Sequence, residues 1–171
     1  MDISQKTNGF DFQMSKTPNI YCLVAGAAEG NTRLNAFDKA LLEARVGDTN
    51  LMRVSSICPP GAQEVSRDDI TLPGGGLIPI AYAQIDSQTP QSWIASAVAI
   101  GIPEDPNEPG VIMEYEDHTR LDYVESVVRQ MVVDAFEYRN RALKEIKYMG
   151  IEHQIEKCAS TFAAVVLWYK Q

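Results

Sequence analysis

The sequence has no apolar run close to the roughly 20 residues that a membrane-spanning helix needs. Its polar first residues, 1–5, lack the character of a signal peptide, so we expect a cytoplasmic protein with no membrane partner. Basic residues are also scarce, since 15 Lys and Arg stand against 23 Asp and Glu and the net charge is −8. Because no basic run is available to neutralise phosphates, a nucleic-acid partner is not expected.

Candidate metal ligands and nucleophilic thiols are few as well. The three cysteines, Cys22, Cys58 and Cys158, have neither the spacing of a metal site nor the even number of a disulfide framework. The two histidines, His118 and His153, have no partner at the spacing of a metal ligand or of a nucleophile–base pair. A thiol hydrolase that pairs Cys58 with His153 stays open, but only through an arrangement that the sequence does not show.

What the chain does have is enough apolar sequence for one domain. Hydrophobic residues make up 45% of its 171 residues, which suffices for a single core. A polar N-terminal arm over residues 1–17 precedes the domain at 18–171. Hydrophobic periodicity predicts helices over 32–46 and 121–149, and strands over 19–26, 77–85, 93–102, 110–116, 151–157 and 161–169. With a further strand near residues 50–57, this pattern predicts an α/β (α+β) sandwich with helices on the sheet faces.

The first predicted helix carries an acid beside its apolar stripe. Asn31 or Thr32 would cap this helix and Gly47 would end it. The apolar stripe consists of Leu34, Phe37, Leu41 and Ala44. Asp38 flanks that stripe, either as a solvated edge acid or as a carboxylate aimed at a cation in a neighbouring cleft.

Two adjacent serines interrupt an apolar, strand-like run that a double proline ends. Proline has no N–H to donate and fixes its own φ, so the strand cannot pass Pro59 and Pro60. Ser55 and Ser56 therefore lie near a strand end, where the backbone can be strained. The pattern is compatible both with a half-buried serine pair before a turn and with a self-cleaving serine.

The predicted strand at 110–116 presents two carboxylates on one face. Period two places Glu114 and Glu116 one pleat apart, opposite Val111, Met113 and Tyr115. Like charges this close tend to raise one pKa toward the range that is useful for proton transfer. The alternative is the exposed polar face of an edge strand.

Several fragments, in order over residues 19–170, closely resemble the pyruvoyl-dependent arginine decarboxylases. They are Leu23-Val24-Ala25-Gly26, Glu29-Gly30, Leu34-Asn35-Ala36-Phe37-Asp38, Asn50-Leu51, Val54-Ser55-Ser56-Ile57, Pro59-Pro60, Ile112-Met113-Glu114-Tyr115-Glu116, Phe162-Ala163-Ala164 and Leu167-Trp168-Tyr169-Lys170. Each fragment alone is weak, and together they are specific.

The resemblance implies that Ser56 becomes a covalent pyruvoyl cofactor. Ser56 Oγ would attack the carbonyl of Ser55, and elimination and hydrolysis would leave a β chain, 1–55, and an α chain, 56–171. Asn50 matches the family residue that assists this processing, and its amide is a suitable uncharged donor. The resemblance implies neither a metal nor pyridoxal phosphate.

The resemblance also implies roles in decarboxylating arginine to agmatine. Glu114 matches the proton donor, Asp38 matches the residue that meets the guanidinium, and the carbonyls of the Gly47 to Thr49 turn would help to hold it. Members of the family form trimers of αββα subunits with sites between neighbouring subunits, so the resemblance implies a trimer here. Whether trimers pair into hexamers stays open.

Two departures from the family pattern affect pocket details. They are Cys58, where relatives carry an apolar residue, and Thr49, which is more polar than expected beside the substrate tail. Because Asp38 would also accept the ammonium of lysine or ornithine, a decarboxylase of another basic amino acid remains an alternative. An unprocessed binding trimer without catalytic activity is a second alternative.

Overall fold

The structure, a computed structural model, describes residues 16–170 as two β-sheets packed between two α-helices. In chain order, the elements are β1 (Ile20–Glu29), α1 (Arg33–Glu43), β2 (Asn50–Arg53), β3 (Ile57–Cys58), β4 (Gln63–Glu64), β5 (Leu77–Ser87), β6 (Trp93–Pro103), β7 (Gly110–Asp117), α2 (Leu121–Tyr138), β8 (Leu143–Gln154) and β9 (Ala159–Trp168). The polar arm predicted for residues 1–17 lies, except for its last two residues, outside the described residues.

The four layers follow the order helix, sheet, sheet, helix. The first sheet has the strand order β2-β5-β9-β1-β4, and the second sheet has the order β3-β7-β6-β8. Helix α1 packs on the outer face of the first sheet and α2 on the outer face of the second, while the two inner faces form a shared apolar core. The predicted α+β sandwich of αββα layers is therefore confirmed.

The central strands explain how the layers come so close. Strand β9 is buried along its whole length except at Trp168, as its two apolar faces predict. Strand β6 turns its alanines and Gly101 toward α2. A Cβ on Gly101 would lie only 2.5 Å from Cγ1 of Val132, so α2 rests directly on the strand backbone. The predicted small face of this strand is confirmed.

Helix α1 lies close to its sheet for a similar reason, and this corrects its predicted apolar stripe. A Cβ on Gly26 of β1 would lie 2.7 Å from the backbone nitrogen of Ala44, so alanines lie directly against the strand. Phe37 and Leu41 of the predicted stripe pack beside them, partly buried. Leu34 is 74% exposed, contrary to its predicted place in the core, and Asp38 is exposed as well. Thr32 caps the helix as predicted, by accepting the N–H of Asn35 at 3.2 Å.

The predicted end of α1 is wrong by a few residues. The helix ends at Glu43, and Arg45 takes the left-handed backbone conformation with φ of 62°. Gly47 lies further along the turn into β2. Because an arginine supplied the conformation that glycine usually supplies, residue type misled the prediction.

The predicted helix over 121–149 is also wrong in its second half. Helix α2 ends at Tyr138, and Asn140 reverses the chain with φ of 50°. The remaining residues form β8, which pairs with β6 along its whole length, so that Gly150 lies opposite Ala97 instead of ending a helix. Pairing with a distant strand overrides local helical periodicity here.

Candidate active site

The peptide bond between the two serines crosses from one sheet to the other. Before it, β2 pairs with β5 in the first sheet, and the last bond of this ladder joins Val54 N to Ile80 O at 3.1 Å. After it, β3 pairs with β7 in the second sheet, and Ile112 N donates to Ser56 O at 2.8 Å. Each flank of the Ser55–Ser56 bond is thus hydrogen-bonded to a different sheet. The serines lie between two strands, where one strand was predicted. The prolines end β3, as expected, but the break at the serines comes from the passage between the sheets.

Ser56 has a strained backbone. Its φ is 68°, in the left-handed region that side chains other than glycine rarely adopt. Such a residue costs about 1–2 kcal/mol, and it persists because the hydrogen bonds around it hold the chain in place. Strain at this residue is what an attack by a serine hydroxyl on the preceding carbonyl requires.

Glu114 contacts the Ser56 side chain. Ser56 Oγ donates a hydrogen bond to Oε1 of Glu114, which lies 58 residues further along the chain. Glu114 reaches the serine because it shares the inner face of β7 with Ile112, whereas Val111 and Met113 face α2. The predicted faces of this strand are confirmed.

Burial is the main reason that the pKa of Glu114 is raised. The hydrogen bond from Ser56 and the positive charge of Arg53 both act in the opposite direction. Burial also raises the pKa of Glu116, Arg53 lowers it, and the charge of Glu114 raises it further. The expected coupling between the two acids therefore acts on Glu116, and the raised pKa of Glu114 comes from its surroundings in the gap between the sheets.

Asp38 lies elsewhere in the same chain. It lines a surface cleft of about 440 Å³ at the start of α1, together with the carboxylates of Glu29 and Glu156 and the ammonium groups of Lys39 and Lys157. None of the residues that line this cleft belongs to the Ser55–Ser56 crossing or to β7. The exposed carboxylate is free to meet a cation from outside the chain.

Gly47 and Thr49 lie in the turn that follows α1, and Asn50 begins β2. Thr49 Oγ1 donates to Val46 O at 2.7 Å. The Asn50 side chain donates to Gly75 O at 2.8 Å, not to either serine. Asn50 begins β2 while the serines follow its end, and the strand between them is about 10 Å long. A single chain thus brings Ser55, Ser56 and Glu114 together and leaves the other predicted residues apart from them.

The structure does not form the thiol–histidine pair. Cys58 is buried, and burial raises the pKa of its thiol to about 12, so the nucleophilic thiolate is disfavoured. His153 instead contacts Oε1 of Glu29 at 3.0 Å. Among residues 16–170, no three acidic, cysteine or histidine side chains are grouped to hold a metal.

Sequence reasoning missed Arg53, whose side chain contacts Tyr82 and whose charge acts on Glu114. The available signal was a single cation in an apolar strand, two residues before Ser55. Tyr82 gave no signal, since it lies in another strand.

Comparisons with known proteins identify the family of the chain. The family model for pyruvoyl-dependent arginine decarboxylase matches residues 20–171. The pyruvoyl-dependent arginine decarboxylase of Methanocaldococcus jannaschii is 46% identical over 155 residues, which cover 91% of this chain and 93% of that protein. The protein of the same name from Methanococcus vannielii is 39% identical over 165 residues, 96% of this chain and 99% of that one.

A relative from Pyrococcus horikoshii, also named pyruvoyl-dependent arginine decarboxylase, is 40% identical over 89% of this chain and 96% of its own length. Among solved structures, a pyruvoyl-dependent histidine decarboxylase at pH 8 shares 16% identity and a TM-score of 0.46, over 59% of this chain and 53% of that one. That structural likeness is too small to support an argument. On the strength of the family match and the sequence relatives, this chain belongs to the pyruvoyl-dependent arginine decarboxylase family.

Proposed function

We propose that this chain cleaves itself between Ser55 and Ser56 and then decarboxylates L-arginine to agmatine and CO2. The observation that carries the proposal is the state of Ser56, which has a strained backbone and donates its hydroxyl hydrogen to Glu114. Membership of the family supports the choice of reaction and of a pyruvoyl group derived from Ser56.

Self-cleavage begins at the Ser56 hydroxyl. Its oxygen bonds to the Ser55 carbonyl carbon, the peptide C–N bond breaks, and the hydroxyl proton passes to the departing Ser56 amine. Glu114 accepts the hydrogen bond of that hydroxyl and so orients the attacking oxygen. An ester now links Ser55 to the side chain of residue 56.

Elimination and hydrolysis complete the cleavage. Residue 56 loses its Cα proton while the Ser55 carboxylate departs with the former hydroxyl oxygen, and dehydroalanine remains. Water then replaces the nitrogen, which leaves as ammonia, so that a ketone begins the α chain, 56–171. The β chain, 1–55, ends in Ser55.

For decarboxylation, the ketone supplies a carbon that reacts with the amine of arginine and a neighbouring carbonyl that accepts electrons as CO2 leaves. Burial raises the pKa of Glu114 and so favours its protonated form, and this group delivers its proton to the carbon that lost CO2. Asp38 accepts two parallel N–H bonds from the guanidinium. The carbonyls of Gly47 and Thr49 accept its remaining N–H groups.

We further propose that the working unit is a homotrimer. Asp38 lies apart from Ser56 and Glu114 within one chain, and a complete site needs all three. In the trimer, Asp38, Gly47, Thr49 and Asn50 of one subunit approach the Ser55–Ser56 crossing of the next, where the Asn50 amide assists processing.

A cytoplasmic location is the last part of the proposal. Cys22, Cys58 and Cys158 are all free thiols, which suits a reducing compartment. No helix among residues 16–170 is long and apolar enough to cross a membrane.

Substrate choice is tested with arginine, lysine and ornithine labelled at the carboxyl carbon, by measuring the release of labelled CO2. We expect arginine to be used best. Asp38→Asn removes the charge that faces the guanidinium, so KM for arginine should rise by about 10- to 100-fold. Equal turnover of lysine or ornithine by the unchanged enzyme would contradict the arginine assignment.

A further inference from the structure

The backbone leaves the edge of the first sheet after Arg53, but the side chain of Arg53 still hydrogen-bonds to that edge. The ladder between β2 and β5 ends where Val54 N donates to Ile80 O. The next carbonyl on that edge of β5 belongs to Tyr82, and it accepts a hydrogen bond from Nη2 of Arg53 at 2.8 Å. The side chain of Arg53 thus makes the hydrogen bond that a backbone N–H would make if β2 were longer.

The same guanidinium lies against the Tyr82 ring. Its central carbon is 4.6 Å from the ring centroid, at the distance of a cation–π contact. The ring packs in turn on Phe162, with centroids 5.3 Å apart, and Phe162 is fully buried. Arg53 is therefore anchored to a side chain that the core holds in place.

This anchor lies two residues before the bond that is proposed to break. On the other side of that bond, Ile112 N holds the carbonyl of Ser56 at 2.8 Å. The short crossing between the two sheets is thus held at both ends, and the left-handed φ of Ser56 lies inside it. If the upstream end were loose, rotation about the backbone of Val54 and Ser55 would let Ser56 relax.

The charge of Arg53 also reaches the acids of the site. It lowers the pKa of both Glu114 and Glu116, against the effect of burial. The other groups that act on this acid pair are the Ser56 hydroxyl and the carboxylate of Asp117. Arg53 therefore favours the ionised form of Glu114, which accepts the hydrogen bond of the Ser56 hydroxyl.

We propose that Arg53 is a positioning residue for self-cleavage, whose guanidinium grips the backbone carbonyl and ring of Tyr82 and so holds the Ser55 carbonyl within reach of Ser56 Oγ. The inference rests on the proposed self-cleavage and adds a residue to it. Arg53 acts through the position of the crossing, because its side-chain contacts are with Tyr82.

The test follows the rate at which freshly translated full-length chain becomes two fragments, measured by intact mass. Arg53→Ala should slow this conversion by about tenfold or more, since it removes one charge-assisted hydrogen bond and the stacking contact. Arg53→Lys keeps the charge without the planar guanidinium, so its cleavage rate should lie between those of the parent chain and Arg53→Ala. Millimolar guanidinium should restore part of the rate of Arg53→Ala.

Arg129→Ala is the matched control. Arg129 also donates to a backbone carbonyl, that of Glu125 at 3.1 Å, and stacks on Tyr148 at 4.8 Å, but it lies on α2. We expect this variant to be cleaved at the rate of the unchanged chain. The melting temperatures of the two alanine variants should agree within about 4 °C, the shift that 1 kcal/mol produces in a domain of this size.

The outcomes separate the inference from the function on which it rests. Equal cleavage rates for Arg53→Ala and Arg129→Ala, beside a cleaving parent chain, would overturn the role of Arg53 alone. A lower melting temperature together with no rescue by guanidinium would also overturn it, because that result marks a general folding defect. An uncleaved parent chain would contradict the proposed function itself. If Arg53→Ala does not fold, the slower rate expected of Arg53→Lys decides the question.

Discussion

At the scale of single residues, the contact between Ser56 and Glu114 would give one carboxyl group two consecutive tasks in the proposed function. In the uncleaved chain, Glu114 accepts the hydrogen bond of the Ser56 hydroxyl, which lowers its pKa against the effect of burial. The proposed cleavage transfers that hydroxyl oxygen to Ser55. Residue 56 would then have no hydroxyl to donate, so the pKa of Glu114 would rise further and the group would keep its proton to a higher pH. The proposed maturation would thus convert an acceptor into the proton donor that decarboxylation needs.

Glu114→Gln separates these two tasks. The amide oxygen still accepts the Ser56 hydrogen bond, so we expect the variant to be cleaved. Arginine decarboxylation should fall by about 100-fold or more, because the amide cannot donate a proton as a carboxylic acid does. Normal release of CO2 from the cleaved variant would remove Glu114 from this role.

The pH profile of kcat provides a second reading of the same group. A proton donor works only while protonated, so activity of the unchanged enzyme should fall as the pH rises through the raised pKa of Glu114. The residual activity of Glu114→Gln should lack that fall. An identical alkaline limb in both enzymes would assign it to another group.

Several of these residue-level features could be read from the sequence. Pro59 and Pro60 predict the end of β3 just after the serines, and period two predicts which side chains share a face with Glu114. The contact of Glu114 with Ser56 could not be predicted, because it joins positions 58 residues apart. The left-handed φ of Ser56 and the burial of Glu114 likewise depend on how two sheets meet, which no local pattern encodes.

At the scale of elements, Glu29 ties the end of β1 to the turn between β8 and β9. Its carboxylate accepts the backbone N–H groups of Glu156, Lys157 and Cys158 at 2.9 to 3.2 Å, and it contacts His153 at 3.0 Å. Burial alone would raise the pKa of Glu29, but these hydrogen bonds outweigh it and lower the pKa to about 2. Because Glu29 also lines the cleft beside Asp38, this tie shapes a proposed substrate-binding surface.

The lowered pKa makes a prediction about stability in acid. A carboxylate with a depressed pKa stabilises the fold above its ordinary pKa, and this contribution disappears as the pH falls toward about 2. Glu29→Gln should therefore lower the free energy of unfolding at pH 7 by about 1–3 kcal/mol and flatten its dependence on pH between about 5 and 2.

Urea unfolding at a series of pH values measures this effect, with Glu137→Gln as the control. Glu137 is an exposed acid of α2, so its replacement should leave the dependence unchanged. Equal acid dependence in the Glu29→Gln variant and the parent chain would contradict the stabilising role of the Glu29 carboxylate.

The elements themselves were predictable to different degrees. β6, β7 and β9 follow from alternation and burial patterns, and Thr32 marks the start of α1. The close packing of α1 on Gly26 was not predictable, because the sequence does not show which glycine lies under which alanine. The helix predicted beyond Tyr138 was wrong because β8 forms its hydrogen bonds with β6. The paired residues of these two strands are 40 or more positions apart in the sequence.

At the scale of the whole molecule, the sandwich separates the proposed site into two halves. The number and type of elements predict the αββα layers, but the strand orders depend on long-range pairing that the sequence leaves open. One half-site, around Ser56 and Glu114, lies where β2 passes into β3. The other lies at α1 and the turn after it, and contact between subunits would bring the halves together.

Mixing two impaired variants, assayed with arginine well below the parent KM, tests this shared site. Asp38→Asn damages one half and Glu114→Gln the other, so in a mixed trimer some sites receive an intact half from each chain. Co-expression in equal amounts should restore about a quarter of the parent activity, the share of intact pairs expected from random closed assembly. No activity above that of the two separate variants would place all of these residues within one subunit.

Self-cleavage at Ser56 is the central claim, and intact mass measured under denaturing conditions tests it most directly. We predict that freshly purified chain gives two species, residues 1–55 and a chain that begins with a ketone at position 56. Ser55→Ala should give the same division, because only the carbonyl of residue 55 reacts, and Ser56→Ala should stay whole. A single 18.9 kDa species from the unchanged sequence would contradict the account.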